Sequence, residues 1–222
     1  MRKYFFILFV LFSGAQLVAQ LLNHQLLSTF TKPFIIPALI GYYVFSRGDK
    51  SLCLIFLIAL FFSWAGDVLL LQEKFFVLGL LAFLISHLGY IVTWRKHRNA
   101  NGQHALSTLH RIRMAFPVIL YGAGMVTVLI PHLDNMKIPV LLYAGVLCWM
   151  VLQALVRYGY TNNASFGYVF AGSVLFMLSD SMLAFNKFVQ PVSMAGFWIM
   201  LTYIAAQYSL VTGVLRHEPE TV

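Results

Sequence analysis

The chain is poor in charged residues. Asp, Glu, Lys and Arg together make up 10% of its 222 residues, whereas a soluble domain carries about 25%. Hydrophobic residues make up 60% of the chain, and its mean hydropathy is +0.81. The polar connections between the apolar runs are too short to form a separate soluble domain. The composition therefore predicts an all-α, polytopic membrane bundle, with residues 1–222 as a single transmembrane domain.

The sequence also lacks the patterns of nucleic-acid-binding and cysteine-rich proteins. Its net charge is +8, but the basic residues separate apolar runs and form no basic face, zinc finger or RNA-binding sheet. Cys53 and Cys148, the two cysteines, both fall inside apolar segments, where a free cysteine usually serves packing. We therefore expect a lipid bilayer around the chain and no nucleic-acid partner.

Eight apolar segments are long enough, or nearly so, to cross a bilayer. A helix needs about 20 apolar residues to cross a hydrocarbon core of about 30 Å. The second segment contains Pro33 and Pro37, and Pro37 is tolerated if a neighbour hydrogen-bonds the carbonyl that it frees. The first segment has an alternative interpretation as a signal peptide, with Arg2-Lys3 before an apolar run and a small-x-small pattern ending at Ala15. The predicted spans cover residues 4–22, 31–46, 51–71, 75–94, 113–131, 138–157, 165–185 and 192–215.

The distribution of Lys and Arg predicts the orientation of the spans. If the N-terminus is cytoplasmic, eleven basic residues lie inside and four lie outside. The basic connection 95–113 is then cytoplasmic, as are both termini. We expect a multi-pass protein of a bacterial inner (plasma) membrane. The eleven inner residues are Arg2, Lys3, Arg47, Lys50, Arg95, Lys96, Arg98, Arg111, Arg113, Arg157 and Arg216, and the four outer ones are Lys32, Lys74, Lys137 and Lys187.

Two aspartates lie inside predicted spans, where a carboxylate is costly and usually functional. Asp67 lies in the third span and Asp180 in the seventh, and each is followed seven residues later by a Lys-Phe pair. Because the third and seventh spans run in the same direction, the match predicts a parallel 4+4 repeat. The predicted halves are about 1–95 and 112–217, joined by the loop 95–113.

The spacing from each aspartate to its lysine predicts the depth of the carboxylates. At about 1.5 Å per helical residue, seven residues place each carboxylate about 10 Å below its lysine. With Lys74 and Lys187 at the outer interface, Asp67 and Asp180 should lie at similar depth in the outer leaflet. The glycerol of a lipid and the first atoms of its chains occupy this depth.

One histidine, His87, lies in the fourth predicted span. Such a residue is often a hydrogen-bonded member of the core, and the alternative is a place beside the aspartates. A zinc site takes three or four His, Cys or carboxylate ligands, and no other histidine falls within a predicted span. We therefore predict no metal and no cofactor.

Other polar residues in the spans are candidates to line the same cavity. Tyr203 and Gln207 are four residues apart in the eighth span and so share a helix face, and Tyr143 lies in the sixth. These residues either bridge helices by hydrogen bonds or surround the aspartates. Three lysines near the outer interface are either interfacial anchors or ligands for a phosphate headgroup: Lys32, Lys74 and Lys187.

These motifs together resemble the lysoplasmalogenase-like (YhhN) family of eight-span membrane proteins. The resemblance is carried by FFSWAGDVLL, FLISHLGYI, FMLSDSMLAFNKF and TYIAAQYSL, with TKP opening the second span. It implies a hydrolase that cleaves the vinyl ether bond of a lysoplasmalogen, releasing a fatty aldehyde and a glycerophospho-ethanolamine or -choline. The family's intramembrane aspartates match Asp67 and Asp180.

The chemistry of a vinyl ether suits two carboxyl groups independently of the resemblance. Hydrolysis requires a proton donor for the alkene carbon, a negative group beside the oxocarbenium ion and a base for water. In an apolar site, burial and mutual repulsion favour one protonated and one ionised carboxyl. We predict that Asp67 and Asp180 share these roles, and the sequence leaves open which is the acid.

Two other functions remain compatible with the sequence. A small proton-coupled transporter could use the same Asp pair as a relay. A different membrane hydrolase, dependent on zinc and acting on amide lipids, would need further ligands. A cavity that crosses both leaflets would favour transport, whereas a cavity open at the outer end would favour the lipid hydrolase.

Overall fold

The computed structural model describes residues 1–48, 52–98 and 107–217. Lys50, residues 99–106 of the connecting loop 95–113 and the C-terminal residues 218–222 lie outside these ranges. The described residues form α-helices joined by short turns, so the predicted all-α class is confirmed. In chain order the helices are α1 (Arg2–Leu21), α2 (Gln25–Arg47), α3 (Leu54–Leu69), α4 (Phe76–Lys96), α5 (Thr108–Leu129), α6 (Lys137–Leu155), α7 (Asn163–Phe188) and α8 (Ala195–Leu215).

Six of the helices in the described ranges are long and apolar enough to cross a membrane, and they identify a multi-pass membrane protein. The six do not include α2, and α3 is apolar but has only 16 residues. The number of eight spans therefore stays a prediction. The helix α2 starts at Gln25 and so extends beyond the predicted second span of 31–46 at its N-terminal end. His24 sets that start by accepting a hydrogen bond from the Leu27 amide at 3.2 Å, as an N-cap does.

The proline in the middle of α2 is accommodated by a neighbouring helix. Pro37 has no amide hydrogen, so the carbonyl of Pro33 loses its helical donor. The indole N–H of Trp64 in α3 donates to that carbonyl at 2.9 Å. This contact confirms the expectation that a neighbour satisfies the freed carbonyl, and it fastens α2 to α3.

The helices pack as hairpins whose interfaces contain small residues, as is typical in membranes. The hairpins are α1–α2, α3–α4 and α7–α8, and α2 packs on α3 and α8 while α6 packs on α7 and α4. A Cβ added to Gly213 of α8 would lie 2.6 Å from Val169 of α7. A Cβ added to Gly89 of α4 would lie 2.8 Å from Ala59 of α3. These close approaches allow buried side chains of α4, α7 and α8 to meet in one core.

The two halves differ where the aspartate motifs end. The helix α7 continues through Lys187 to Phe188, but α3 ends at Leu69 and a 3-10 turn, Glu73–Phe75, follows. The seven residues between Asp67 and Lys74 are therefore not a continuous helical rise. The depth estimate was wrong for Asp67, which lies two residues before its helix ends. The parallel 4+4 repeat stays a prediction.

Candidate functional site

Both aspartates line one cavity of about 320 Å³ at the end of the bundle where α3 and α7 terminate. We call it the acid cavity. Its walls come from α2, α3, α4, α7, α8 and the turn that precedes α4. The lining residues are Lys32, Asp67, Leu70, Leu71, Gln72, Glu73, Phe76, Phe83, Ser179, Asp180, Leu183, Lys187, Ile199, Met200 and Tyr203. Residues distant in sequence thus bring two carboxyl groups into one largely apolar space.

Asp67 is buried between a cation and a hydroxyl. It is 2% exposed, and its Oδ1 lies 3.6 Å from the Nζ of Lys32 in α2. The hydroxyl of Tyr203 in α8 donates to Oδ2 at 2.6 Å. The adjacent Gly66 leaves room for the ring of Phe83, since a Cβ there would lie 2.6 Å from that ring. Asp67 is therefore fixed from three neighbouring helices.

Asp180 has different neighbours. The hydroxyl of Tyr143 in α6 donates to its Oδ2 at 2.5 Å, and the Nε2 of His87 in α4 lies 3.8 Å from the same oxygen. His87 is fully buried, and neither of its ring nitrogens has a hydrogen-bond partner among the described residues. Buried imidazoles usually form hydrogen bonds. Because the nitrogens of His87 have none here, they can bind Asp180 or a molecule that enters beside it.

Two phenylalanines form an aromatic floor between the aspartates. Phe83 packs edge-on against Tyr203 at a centroid distance of 6.0 Å, and Phe176 packs edge-on against His87 at 4.8 Å. The two rings also contact each other at 6.0 Å. Phe83 lines the acid cavity, and Phe176 packs behind it, so this floor, Phe83 and Phe176, places apolar surface beside both aspartates.

A polar network extends from Asp67 into the core behind the floor. Gln207 donates to the Tyr203 hydroxyl at 3.3 Å and accepts from the Tyr90 hydroxyl at 2.9 Å. The Tyr90 hydroxyl lies 3.2 Å from that of Ser63, which lies 2.7 Å from Ser86. Gln207 thus supports Tyr203 and does not touch the cavity itself.

The sequence did not identify every member of that network. Tyr90 lies three residues after His87 and so shares a helix face with it. That spacing is the one feature of the sequence that could have placed Tyr90 near the site. Ser63 and Ser86 carry no signal that separates them from serines that serve packing in a membrane helix. Glu73 was also missed, although an acidic residue at a predicted interface could have drawn notice.

The three candidate headgroup lysines have different positions. Lys32 and Lys187 line the acid cavity, and Lys187 forms an ion pair with Glu73 at its mouth. Lys74 is not among the lining residues, and its ammonium lies 4.8 Å from the centre of the Phe75 ring. Within the described ranges, no group of three or more His, Cys, Asp or Glu residues could hold a metal ion.

The similar proteins found by comparison include lysoplasmalogenases from a mammal and from a bacterium. Lysoplasmalogenase TMEM86B of Homo sapiens is 33% identical over 159 residues, which cover 71% of this chain and 62% of that protein. The lysoplasmalogenase of Mycobacterium bovis is 31% identical over 160 residues, which cover 70% of this chain and 58% of that protein. The chain thus spans about three fifths of the length of the curated relatives it matches.

No solved structure gives a significant match to the chain. A sequence model of the YhhN family, however, matches residues 27–214. This match includes both aspartates and the helices that surround the acid cavity. The chain therefore belongs to the YhhN family.

Proposed function

We propose that this protein hydrolyses the vinyl ether bond of a lysoplasmalogen, releasing a fatty aldehyde and a glycerophospho-ethanolamine or -choline. The observation that carries the proposal is the pair of carboxyls, from α3 and α7, that line one cavity in different surroundings. The lysoplasmalogenases among the relatives support the substrate class.

The acid cavity suits the polar end of an amphiphile. Its mouth carries Glu73 and Lys187, and its interior is mostly apolar. A second, apolar cavity adjoins it and is also lined by Asp180, together with Tyr143 and side chains of α4, α6 and α7. This apolar space measures about 40 Å³. In our proposal it takes the vinyl ether carbons at the start of the alkenyl chain, which brings them beside Asp180.

The different neighbours of the two carboxyls suggest different roles. The Lys32 ammonium beside Asp67 favours the carboxylate form of Asp67. Among the described residues, Asp180 has no Lys or Arg in ion-pair contact, and apolar burial favours its neutral form. Asp180 is then the proton donor. Since Tyr143 donates to Oδ2, Oδ1 is the oxygen that carries the acidic proton.

The proposed reaction begins when Asp180 transfers its proton to the outer alkene carbon, the one not bonded to oxygen. The carbon bonded to the ether oxygen becomes part of an oxocarbenium ion, which the Asp67 carboxylate stabilises. Water attacks that carbon and gives one proton to Asp67, which forms a hemiacetal. Glycosidases use a carboxyl pair around a related cation.

The hemiacetal then collapses, which returns Asp67 to its carboxylate form and Asp180 to its acid form. Asp67 returns its proton to the glycerol oxygen as the carbon–oxygen bond breaks, and the hemiacetal hydroxyl gives its proton to Asp180. The net change is one vinyl ether and one water converted to one aldehyde and one alcohol. Tyr203 and Tyr143 hold the two carboxyls, and Gln207 positions Tyr203.

A proton-coupled transporter is the second candidate, and one observation favours it. The polar network behind Tyr203 continues inward through Gln207 and Tyr90, as a proton relay would. The acid cavity, however, lies at one end of the bundle, which favours the hydrolase. Transport predicts proton-dependent flux in liposomes without release of aldehyde.

The proposal includes the membrane arrangement. All eight helices cross a bacterial inner membrane, both termini are cytoplasmic, and the acid cavity faces the external side. The four helices of each half form a parallel repeat. The excess of Lys and Arg at the opposite end of the bundle supports this orientation.

The test incubates purified protein with a lysoplasmalogen and with its saturated ether analogue, which lacks the alkene that accepts the proton. We expect aldehyde from the first and none from the second. Asp67→Asn and Asp180→Asn should each lower turnover about a thousandfold, within the usual range for loss of a general acid or base. Asp134→Asn is the matched control, because Asp134 is exposed in the α5–α6 connection and its φ of +38° suits asparagine.

Two results would overturn the proposal. One is the absence of aldehyde from lysoplasmalogens with ethanolamine and choline headgroups in a folded preparation. The other is near wild-type turnover in either cavity variant, which would refute the two-carboxyl mechanism.

A further inference from the structure

A polar cavity of about 440 Å³ adjoins the acid cavity. It lies between the α1–α2 turn and the end of α3, and it shares Lys32, Leu70 and Leu71 with the acid cavity. We call it the polar annex. Most of its lining is polar, in contrast to the acid cavity, and its lining residues are Ala19, Gln20, Asn23, His24, Gln25, Ser28, Thr29, Lys32, Leu70 and Leu71.

The wall of the polar annex is held in place by side-chain hydrogen bonds between α1 and α2. The Ser28 hydroxyl accepts from the side-chain amides of Gln16 and Gln20, both at 2.9 Å. The Thr31 hydroxyl donates to the side-chain Oε1 of Gln16 at 2.5 Å, and Gln16 is fully buried. Polar side chains in membrane helices are expensive and usually serve a purpose. Here they fix Gln20 and Ser28 at the annex.

The charges around the polar annex favour an anion. Lys32 is the cation in its lining, and no carboxylate lines the annex in the described ranges. The annex also lies at the start of α2, whose first amides and positive dipole end favour negative charge. His24 uses Nδ1 to cap α2, which leaves its other ring nitrogen for a ligand. Amide, hydroxyl and imidazole groups together suit phosphate oxygens.

We propose that the polar annex binds the phosphodiester of the lysophospholipid headgroup. This inference rests on the proposed function, because it extends the substrate from the acid cavity across Lys32. The vinyl ether and the phosphate are attached to opposite ends of glycerol, whose three carbons lie beside Lys32. Lys32 then contacts the phosphate on one side and Asp67 on the other. No carboxylate lines the annex in the described part of the chain. The annex therefore binds the phosphate and forms no ion pair with the amine of the headgroup.

The first test measures binding, so that it does not depend on catalysis. The probes are a saturated 1-O-alkyl-glycerophosphoethanolamine and the corresponding 1-O-alkylglycerol, which lacks the phosphate. We expect the phospholipid to bind at least about tenfold more tightly to the wild-type protein, the gain of a charge-assisted hydrogen bond. The affinity for the choline phospholipid should lie within about twofold of that for the ethanolamine one, because no group of the annex binds the amine.

The variants separate the annex from the catalytic carboxyls. Gln20→Met/His24→Asn removes an amide and an imidazole, while asparagine still caps α2. Asn23→Gly removes a second amide at a residue with φ of +53°, which glycine adopts readily. Each should lose about tenfold in affinity for the phospholipid and should bind the alkylglycerol as the wild type does.

Soluble ligands distinguish a headgroup site from a simple phosphate site. Glycerophosphoethanolamine should displace the phospholipid probe from the wild type, and inorganic phosphate should do so at least about tenfold less well. Equal displacement by both would reduce the annex to a phosphate site and overturn the headgroup assignment. Unchanged phospholipid affinity in both variants would overturn the annex as a binding site, even if aldehyde release supports the proposed function. A phosphate-dependent affinity without aldehyde release would refute the function alone.

Discussion

The two ends of the bundle bury charge in different ways. At the end where α3 and α7 terminate, Asp67 and Asp180 face a cavity of about 320 Å³. At the opposite end, Arg157 follows α6 and is fully buried. Its guanidinium donates to the His97 carbonyl at 3.3 Å and to the Ser165 hydroxyl at 2.8 Å.

Burial of a charged side chain is not enough to identify a functional site. The guanidinium of Arg157 lies 5.6 Å from the centre of the Trp94 ring. Nearby, the rings of His97 and His217 stack on each other with their centres 4.5 Å apart. Ser165 in turn donates to the Gly213 carbonyl of α8 at 2.7 Å. Arg157 therefore joins the ends of α4, α6, α7 and α8, and we assign it a structural role. The aspartates differ because they face a space that a molecule can enter.

The largest expected difference between the two ends is tested with one histidine from each, the buried His87 and the half-buried His97. His87→Phe removes the imidazole 3.8 Å from Asp180, and we expect turnover to fall about a hundredfold because the proton donor Asp180 loses the polar side chain that can hydrogen-bond its Oδ2. His97→Phe retains an aromatic ring on His217 and should leave turnover unchanged. Aldehyde release by the two purified variants checks this. Equal losses in both would mean that the two ends are not functionally distinct.

A glycine at the aromatic floor gives the next largest expected effect. In Gly66→Ala the new methyl would lie 2.6 Å from the Phe83 ring, so we expect a loss of about 1–3 kcal/mol in stability and lower turnover. Gly124→Ala in α5 is the matched control, because nothing lies within 4 Å of its added Cβ. Thermal unfolding and turnover are measured together. A Gly66→Ala protein as stable and active as the control would show that the floor is not closely packed.

The opposite end should show the smallest effect, a dependence of stability on pH. Burial, and then the electrostatic effect of His217, Arg157 and Arg47, lower the pKa of His97 from 6.5 to about 3. Burial likewise lowers the pKa of His217 to about 4. The unfolded chain therefore binds more protons below about pH 6.5, so stability falls as the pH drops from about 6.5 towards 4.

The measurement is the midpoint of thermal unfolding between pH 4.5 and 8. We expect a flat profile above about pH 6.5 and a decrease of a few °C by pH 5. His97→Phe removes one of the two titrating rings and should reduce that decrease. A variant with the full wild-type decrease would assign the pH dependence to other groups.

Much of the site could be predicted because the cost of a carboxylate in a membrane singles it out. Asp67 and Asp180 needed no knowledge of helix packing, and the acid cavity that both line agrees with the pocket expected around them. Tyr203 was recognisable as a polar residue in an apolar span. Its partner in the site, Asp67, depends on how α3 and α8 cross, which short-range patterns do not specify.

The errors came from positions that tertiary structure decides. Lys74 has the same sequence setting as Lys187, yet α3 ends at Leu69 and directs the chain through a tight turn before Lys74. The polar annex was also not predicted. Its glutamines and serine become a cavity wall because α1 and α2 form a hairpin.

The hydrogen bond from Trp64 to the Pro33 carbonyl has a mechanical consequence. Pro33 directly follows Lys32 in α2, and Trp64 precedes Asp67 by three residues in α3. One helical turn of α3 therefore carries both the indole hydrogen bond to Pro33 and the ion pair with Lys32. A sliding of α3 along its axis by even one residue would break the indole contact and the ion pair at the same time. The helix α2 thus fixes the axial register of the carboxylate, because Pro37, which removes one hydrogen bond from α2, frees the carbonyl that Trp64 binds.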